Sequence, residues 1–210
     1  MPVDFRGGKT CSCVALSLPW VEEDMKRRGL IVSHVDILQL GYRTDVKASA
    51  GTHAAGGCVD VGQYHPRQIE CWRDWGWTMQ KRTLTGVDVH GHGWPYKCTH
   101  LSIAAQDQED DWDDKDAGLK GDAQVVGQWP VLPWKEAMRR NIMSLLSDLA
   151  DEISTATAKK VLAGMGEAVW NADVIPNVWT DPKANENVRP KSALGELGRD
   201  LNAVREKLQA

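Results

Sequence analysis

Val87 to His92 reads Val-Asp-Val-His-Gly-His, a period-two alternation that puts Asp88, His90 and His92 on one face of a strand. A metal needs its ligands on a shared face, and this strand supplies three chemistry-bearing side chains there. Upstream, Gly51 to Asp60 (GTHAAGGCVD) places His53 and Asp60 seven residues apart across a glycine pair. Cys58-Val59-Asp60-Val61 is short and alternating, as a strand crossing an active site would be. Between these segments, Pro66 to Trp75 (PRQIECWRDW) predicts a helix with Ile69 and Trp72 inward, stopped at Gly76. WTMQKRT, from Trp77, then reads as a strand.

Further out, Leu18-Pro19-Trp20 followed by VEEDMKRR predicts a helix with Pro19 in its first turn, acids before bases, and Gly29 as its stop. Leu30 to Leu40 (LIVSHVDILQL) has the β-branched content of a strand or a short buried element. Asp107 to Asp116 (DQEDDWDDKD) is strongly acidic but lacks the glycine and the closing glutamate of a calcium loop, so a solvated loop or helix end is expected. Gly127 to Trp134 (GQWPVLPW) carries two prolines and marks a boundary between residues 1–133 and 134–210. Past it, Lys135 to Ala163 carries Met138, Ile142, Leu145, Leu146, Leu149 and Ile153 at helical spacing, ending near Gly164 and Gly166. Residues 173–190 are rich in Pro, Asn and Asp and read as a linker. Lys191 to Leu208 forms a second stripe through Leu194, Leu197, Leu201, Val204 and Leu208, narrow enough for self-association through a helical seam. The expected fold class is α+β: a small antiparallel sheet with flanking helices carrying the site, plus a helical C-terminal region.

At 210 residues the chain is long enough for one full domain and an appendage. A net charge of −4 with scattered Lys and Arg argues against a nucleic-acid surface. MPVDFRGGKT lacks the apolar run of a signal peptide, and no stretch approaches the roughly 20 apolar residues of a membrane span. The expectation is a chain made in a cytoplasm, with no membrane insertion. Ten Trp against three Tyr and one Phe suit either a carbohydrate-facing surface or, more plainly, a Trp-rich core. Five cysteines form an odd set, against a complete disulfide framework. Cys11, Cys13, Cys98 and His100 hold four soft donors for a second, structural zinc, with buried free thiols as the plainer reading.

Two histidines and a carboxylate are the ligand set of a catalytic zinc site that keeps one position for water. Four of the six histidines fall between His53 and His92, and small residues (Ala54, Ala55, Gly56, Gly57, Gly91, Gly93) flank the candidates, as room for a metal and a substrate would require. His34 and His65 lie outside this constellation. His65, before Pro66, suits a helix entry. Trp77 and Trp94 flank the candidates and would either wall a groove or fill the core.

Leu40 to Asp60 resembles the signature of the zinc peptidases that cut bacterial cell-wall peptides, the D-alanyl-D-alanine carboxypeptidases and L-alanyl-D-glutamate endopeptidases, whose metal-site fold is shared with hedgehog. That family shows G-Y-R, then S-x-H-x-x-G-x-A-x-D, then H-x-H. Gly41-Tyr42-Arg43 matches the first element, His53, Gly56 and Asp60 the second, and His90 and His92 the third. The arrangement is also similar to lysins of phages that infect actinobacteria, including the segment GHGWP. The resemblance covers roughly residues 10 to 130. It implies zinc held by His53, Asp60 and His92, His90 beside the metal, and Arg43 gripping a substrate carboxylate or polarised carbonyl. Gly51 stands where the family has serine, and Cys58 where it has alanine. Val89 takes the place of the family glutamate, so Asp88 or His90 is left as the proton-handling group. The implied function is metal-assisted hydrolysis of an amide in peptidoglycan stem peptides by a phage lysin, acting after release or carried on the virion. The alternative is a non-catalytic virion or wall-binding protein that retains the zinc for stability.

Overall fold

A computed structural model describes residues 2–45, 51–84, 87–114, 123–124 and 131–152. The linker at 173–190, the stripe at 191–208 and the helix expected beyond residue 152 lie outside them. The chain falls into two compact units, Met1–Met138 and Arg139–Ala210. The first is α+β and contains every candidate site residue.

The unit opens with a hairpin of β1 (Val3–Phe5) and β2 (Gly8–Thr10). Its two-residue turn, Arg6-Gly7, has φ of 48° and 83°, the doubly positive geometry that matches the twist of paired strands. The chain passes directly into helix α1 (Ser12–Arg27). This start corrects the expectation that Pro19 opens the helix: Pro19 lies inside it and faces solvent. A proline there removes one backbone bond, at about 3 kcal/mol. Val14, Leu18, Val21 and Met25 recur at helical spacing and are completely buried. At roughly 1.5–3 kcal/mol each, their burial outweighs the proline. The far end of α1 is held by two buried carboxylates. Glu22 accepts from Arg6 at 2.6 Å, His34 Nδ1 at 2.8 Å and the Val35 amide at 2.8 Å. Asp24 accepts from Trp75 Nε1 at 2.9 Å and pairs with Arg27 and Arg28.

The main sheet has five antiparallel strands in the order β3-β4-β6-β5-β7. They are β3 (Ile37–Gln39), β4 (Val59–Val61), β5 (Gln80–Leu84), β6 (Val87–Gly93) and β7 (Ala123–Gln124). Only the end of the Leu30–Leu40 segment becomes a strand, and Val32 is fully exposed. Residues directly opposite in a sheet share a face. The register sets Asp60 opposite His92 and His92 opposite Gln80, with Arg82 opposite His90 in the next row. The other face of β4 and β6 presents Val59, Val61, Gly91 and Gly93. There a Cβ on Gly91 would come within 3.0 Å of Met79 Sδ and Val61 Cγ2, and one on Gly93 within 2.9 Å of Met79 Cα. The glycines of H-G-H-G therefore allow close packing on the face away from the histidines. They do not provide room beside them.

Helix α2 (Pro66–Asp74) starts at His65, whose amide donates to Gln68 Oε1 at 3.1 Å in a capping box, with Pro66 in the first turn. Ile69 and Trp72 point inward as expected. Helix α3 (Ile103–Asp113) is capped by Ser102, whose Oγ accepts from the Ala105 amide at 3.2 Å. Through Asp113 the acidic run is thus the C-terminal part of a helix, the second of the two expectations. Asp107, Asp110, Asp111 and Asp113 face outward, Glu109 accepts from Trp94 Nε1 at 3.0 Å, and Ala105, Gln108 and Trp112 form a buried stripe at helical spacing. Trp72, Trp75, Trp77, Trp94, Trp112 and Trp134 are all buried and build the core of this unit, Trp77 and Trp94 among them, while Trp20 is half-buried. Helix α4 (Trp134–Glu152) gives its first turn to the unit: Trp134, Ala137 and Met138 are buried and the Trp134 amide donates to the Tyr96 carbonyl at 3.1 Å. Among the described residues no helix is long and apolar enough to cross a membrane.

Candidate metal centres

His53 sits in a single 3-10 turn, Thr52–Ala54, entered through Gly51 at φ 86°. The turn is fixed from two sides. The Arg43 amide donates to the His53 carbonyl at 2.8 Å, and Ser102 Oγ to the Thr52 carbonyl at 3.0 Å. The glycines that follow permit contact, not space: a Cβ on Gly56 would lie 2.6 Å from the Cys11 amide nitrogen, and one on Gly57 2.3 Å from Leu101 Cδ2. Asp60 is central in β4 and His92 lies near the end of β6. Their pairing, with the turn above, brings one donor atom each of His53, Asp60 and His92 within 4.8 Å of the others.

Asp60 Oδ1 is the focus, 3.2 Å from His53 Nε2, 2.7 Å from His92 Nδ1 and 3.7 Å from His90 Nε2. His53 and His92 are completely buried. Burial pushes the Asp60 carboxyl up, but hydrogen bonds from His53 and His92 outweigh it and hold the group well below the usual carboxylate range. Burial also lowers His92, against the pull of Asp60. The cluster is thus a carboxylate held between two imidazoles, with burial favouring the neutral form of His92, the state that a metal requires of a histidine ligand.

The outer nitrogens make the case for a metal stronger. His53 Nδ1 faces the Leu40 carbonyl at 3.3 Å, and His92 Nε2 faces Gln108 Oε1 at 3.1 Å. With a metal bound beside Asp60, each imidazole would donate outward to an oxygen and turn its other nitrogen to the ion. Acceptors on the far nitrogen fix the tautomer and raise ligand basicity in metal sites. By donor type, number and proximity the three residues could hold a metal ion.

Three buried polar atoms on this face have no hydrogen-bond partner among the described residues: His90 Nε2, Arg82 Nε and Gln80 Oε1. His90 Nδ1 contacts the Asp88 carbonyl at 2.7 Å, which leaves Nε2 as the free acceptor side. The Asp88 side chain is exposed. Arg82 is buried, and burial lowers its pKa against the attraction of Asp60. Arg43 is exposed and its guanidinium forks onto Asp45, Nε to Oδ1 at 2.7 Å and Nη2 to Oδ2 at 2.8 Å. Its amide, meanwhile, steadies the His53 turn. Gln80, Arg82 and Gln108 were not candidates in the sequence. Gln80 and Arg82 alternate along WTMQKRT and so share a face, a signal that was present. Gln108 is hidden in an acidic run, where only its place in the Ala105–Gln108–Trp112 stripe distinguishes it.

Cys11, Cys13, Cys98 and His100 form a second group, with donor atoms all within 4.8 Å of one another. Two groups of side chains that could hold a metal ion therefore exist among the described residues. No protein-family model, curated protein or solved structure matches this chain.

Proposed function

We propose that the chain is a zinc-dependent peptidase that hydrolyses an amide bond in peptidoglycan stem peptides, as a phage lysin does. The observation that carries this reading is the convergence of His53, Asp60 and His92 from a turn and two strands, with an outward acceptor on each imidazole and unpartnered polar atoms beside them. Three protein ligands suit a catalytic site, whereas structural sites take four. The ordered match of Gly41-Tyr42-Arg43, His53, Gly56, Asp60, His90 and His92 to the cell-wall peptidases supplies the substrate class.

His53, Asp60 and His92 would hold the zinc, which would supply a Lewis acid for the scissile carbonyl and lower the pKa of water from 15.7 toward about 7. His90 is oriented by the Asp88 carbonyl so that Nε2 receives the proton of the attacking water and returns it to the leaving amine. Asp88 thereby acts through its backbone, and Val89 needs no carboxylate. The Arg82 Nε–H, buried and without an acceptor, donates to the carbonyl oxygen as charge develops there. Arg43 exchanges Asp45 for a substrate carboxylate, a swap between two fork-matched partners at an exposed position.

Purified chain incubated with peptidoglycan should release new amino termini, stop on addition of chelator and resume when zinc is restored. Absence of chelator-sensitive release would leave a metal-stabilised binding protein of the virion or wall instead. Mass analysis of the products separates carboxypeptidase from endopeptidase action.

A further inference from the structure

We propose that Cys11, Cys13, Cys98 and His100 form a second, structural zinc site, closed by three thiolates and one imidazole, that locks the start of α1 to the loop before α3. The donors come from two short pairs 87 residues apart in the chain. Cys11 and Cys13 lie at the N-terminus of α1, and Cys98 and His100 follow β6. Cys11 Sγ is 3.7 Å from Cys98 Sγ, Cys13 Sγ is 3.4 Å from His100 Nδ1, and Cys98 Sγ is 3.9 Å from the same nitrogen. A tetrahedron with bonds of about 2.3 Å to sulfur and 2.0 Å to nitrogen has edges of roughly 3.5–3.8 Å. The spacing is that of ligands around one ion.

The surroundings suit thiolates. All three cysteines are buried and none is in a disulfide. Amide donors point at the sulfurs: His100 N lies 3.5 Å from Cys98 Sγ, and the Val14 amide bonds to Cys11. Cys11 is the N-cap of the 16-residue α1, and Cys13 is in its first turn, so the positive end of the helix faces the group. Three thiolates and a neutral imidazole around a divalent cation carry one net negative charge, which that helix end favours. Binding displaces three thiol protons to solvent and changes no oxidation state. A Cys11–Cys98 disulfide would use only two of the four donors and leave Cys13 and His100 without a role.

Its position gives the site a task. The Cys11 amide donates to the Gly56 carbonyl at 3.0 Å, and Thr10 Oγ1 to the same oxygen at 2.8 Å. On the other side, Leu101 packs on Gly57 and Ser102 holds Thr52. Residues on both flanks of the Cys/His cluster thus clamp the turn that carries His53. Closing the cluster with metal fixes the frame on which the three-ligand centre is built.

Cobalt loaded into the full chain is the test, because His53, Asp60 and His92 offer no sulfur. The expected spectrum has an intense thiolate-to-cobalt charge-transfer band with tetrahedral ligand-field bands. Cys13→Ser should remove most of that band and Cys58→Ser should leave it. Elemental analysis should give two zinc per chain, falling to one in His92→Ala with the thiolate band kept. Thiol titration with a mercurial should release that zinc over three equivalents. A wild-type cobalt protein with no thiolate band would overturn the proposal, as would a mass two units low for a disulfide. Either result would leave the three-ligand centre and its peptidase reading untouched, since those are read from the His92→Ala loss.

Discussion

Gln108→Met tests the His/Asp/His centre at a residue that touches no metal. Gln108 Oε1 lies 3.1 Å from His92 Nε2, and both groups are buried. With this acceptor present, a metal-bound His92 would keep its proton on Nε2 and give its Nδ1 lone pair to the metal. Methionine keeps the volume and removes the acceptor. A buried N–H left without a partner is costly, about 1–3 kcal/mol, so the proton should move to Nδ1, where Asp60 Oδ1 accepts it at 2.7 Å. That shift relieves the metal-free fold and blocks the ligand. The loss should therefore appear in metal affinity, by the 10–100-fold typical of outer-shell partners, or about 1.4–2.7 kcal/mol. The melting temperature of the metal-free protein should change little. Gln108→Glu, a stronger acceptor in the same place, should retain affinity. Competition with a chelator reads the constants, and calorimetry the stability. Unchanged zinc affinity in Gln108→Met would refute the assigned tautomer, and with it the role of His92 Nδ1 as ligand.

Three further outcomes follow from the same geometry. His90→Ala should keep its zinc and lose about 10²–10⁴-fold in rate, while Asp88→Asn, which retains the orienting carbonyl, should stay near wild type; the reverse pattern in peptidoglycan turnover would make the Asp88 carboxylate the base. Glu22 is pushed up by burial but pulled down to about 2 by Arg6, His34 and the Val35 amide, so its contribution to stability is full above the ordinary value of 4.5 and disappears as pH falls toward 2. The shift corresponds to about 3 kcal/mol, and screening through the partly exposed Arg6 brings it to about 2; urea titrations of Glu22→Gln should show a flatter pH dependence in that window, and an identical slope would contradict the ion-pair assignment. Truncation after Met138 should leave a folded unit, whereas ending at Pro133 removes buried Trp134, Ala137 and Met138 and should lower stability by at least the roughly 3–5 kcal/mol of a lost core tryptophan; equal melting temperatures for the two fragments would show that the first turn of α4 is dispensable.

Local pattern carried the reading of the strands around the site. The alternation of VDVHGH predicts one shared face for Asp88, His90 and His92, and β6 is a strand whose register sets His92 against Asp60 and His90 against Arg82. Pro66 to Asp74 was equally legible, because its start, its stop and its inward Ile69 and Trp72 all lie within ten residues of one another. Pro19 misled because its local penalty is smaller than the burial of four apolar residues around it. The acidic run was legible as a helix end, but the narrow buried stripe beneath its charges was not.

By itself, the sequence determined the residue types and the short-range geometry: a carboxylate and imidazoles at ligand spacing and an α+β alternation of elements. These follow from periods and steric rules that act over a few residues, whereas the glycines read as room for a metal prove to be places of close packing. Only the tertiary structure decided which nitrogen of each histidine faces inward, because the acceptors that choose it, the Leu40 carbonyl and Gln108, lie 13 and 16 residues away in the chain. The same holds for the meeting of Cys11 and Cys13 with Cys98 and His100 across 87 residues. Such pairings depend on strand register and helix packing over the whole unit, and no local pattern encodes them.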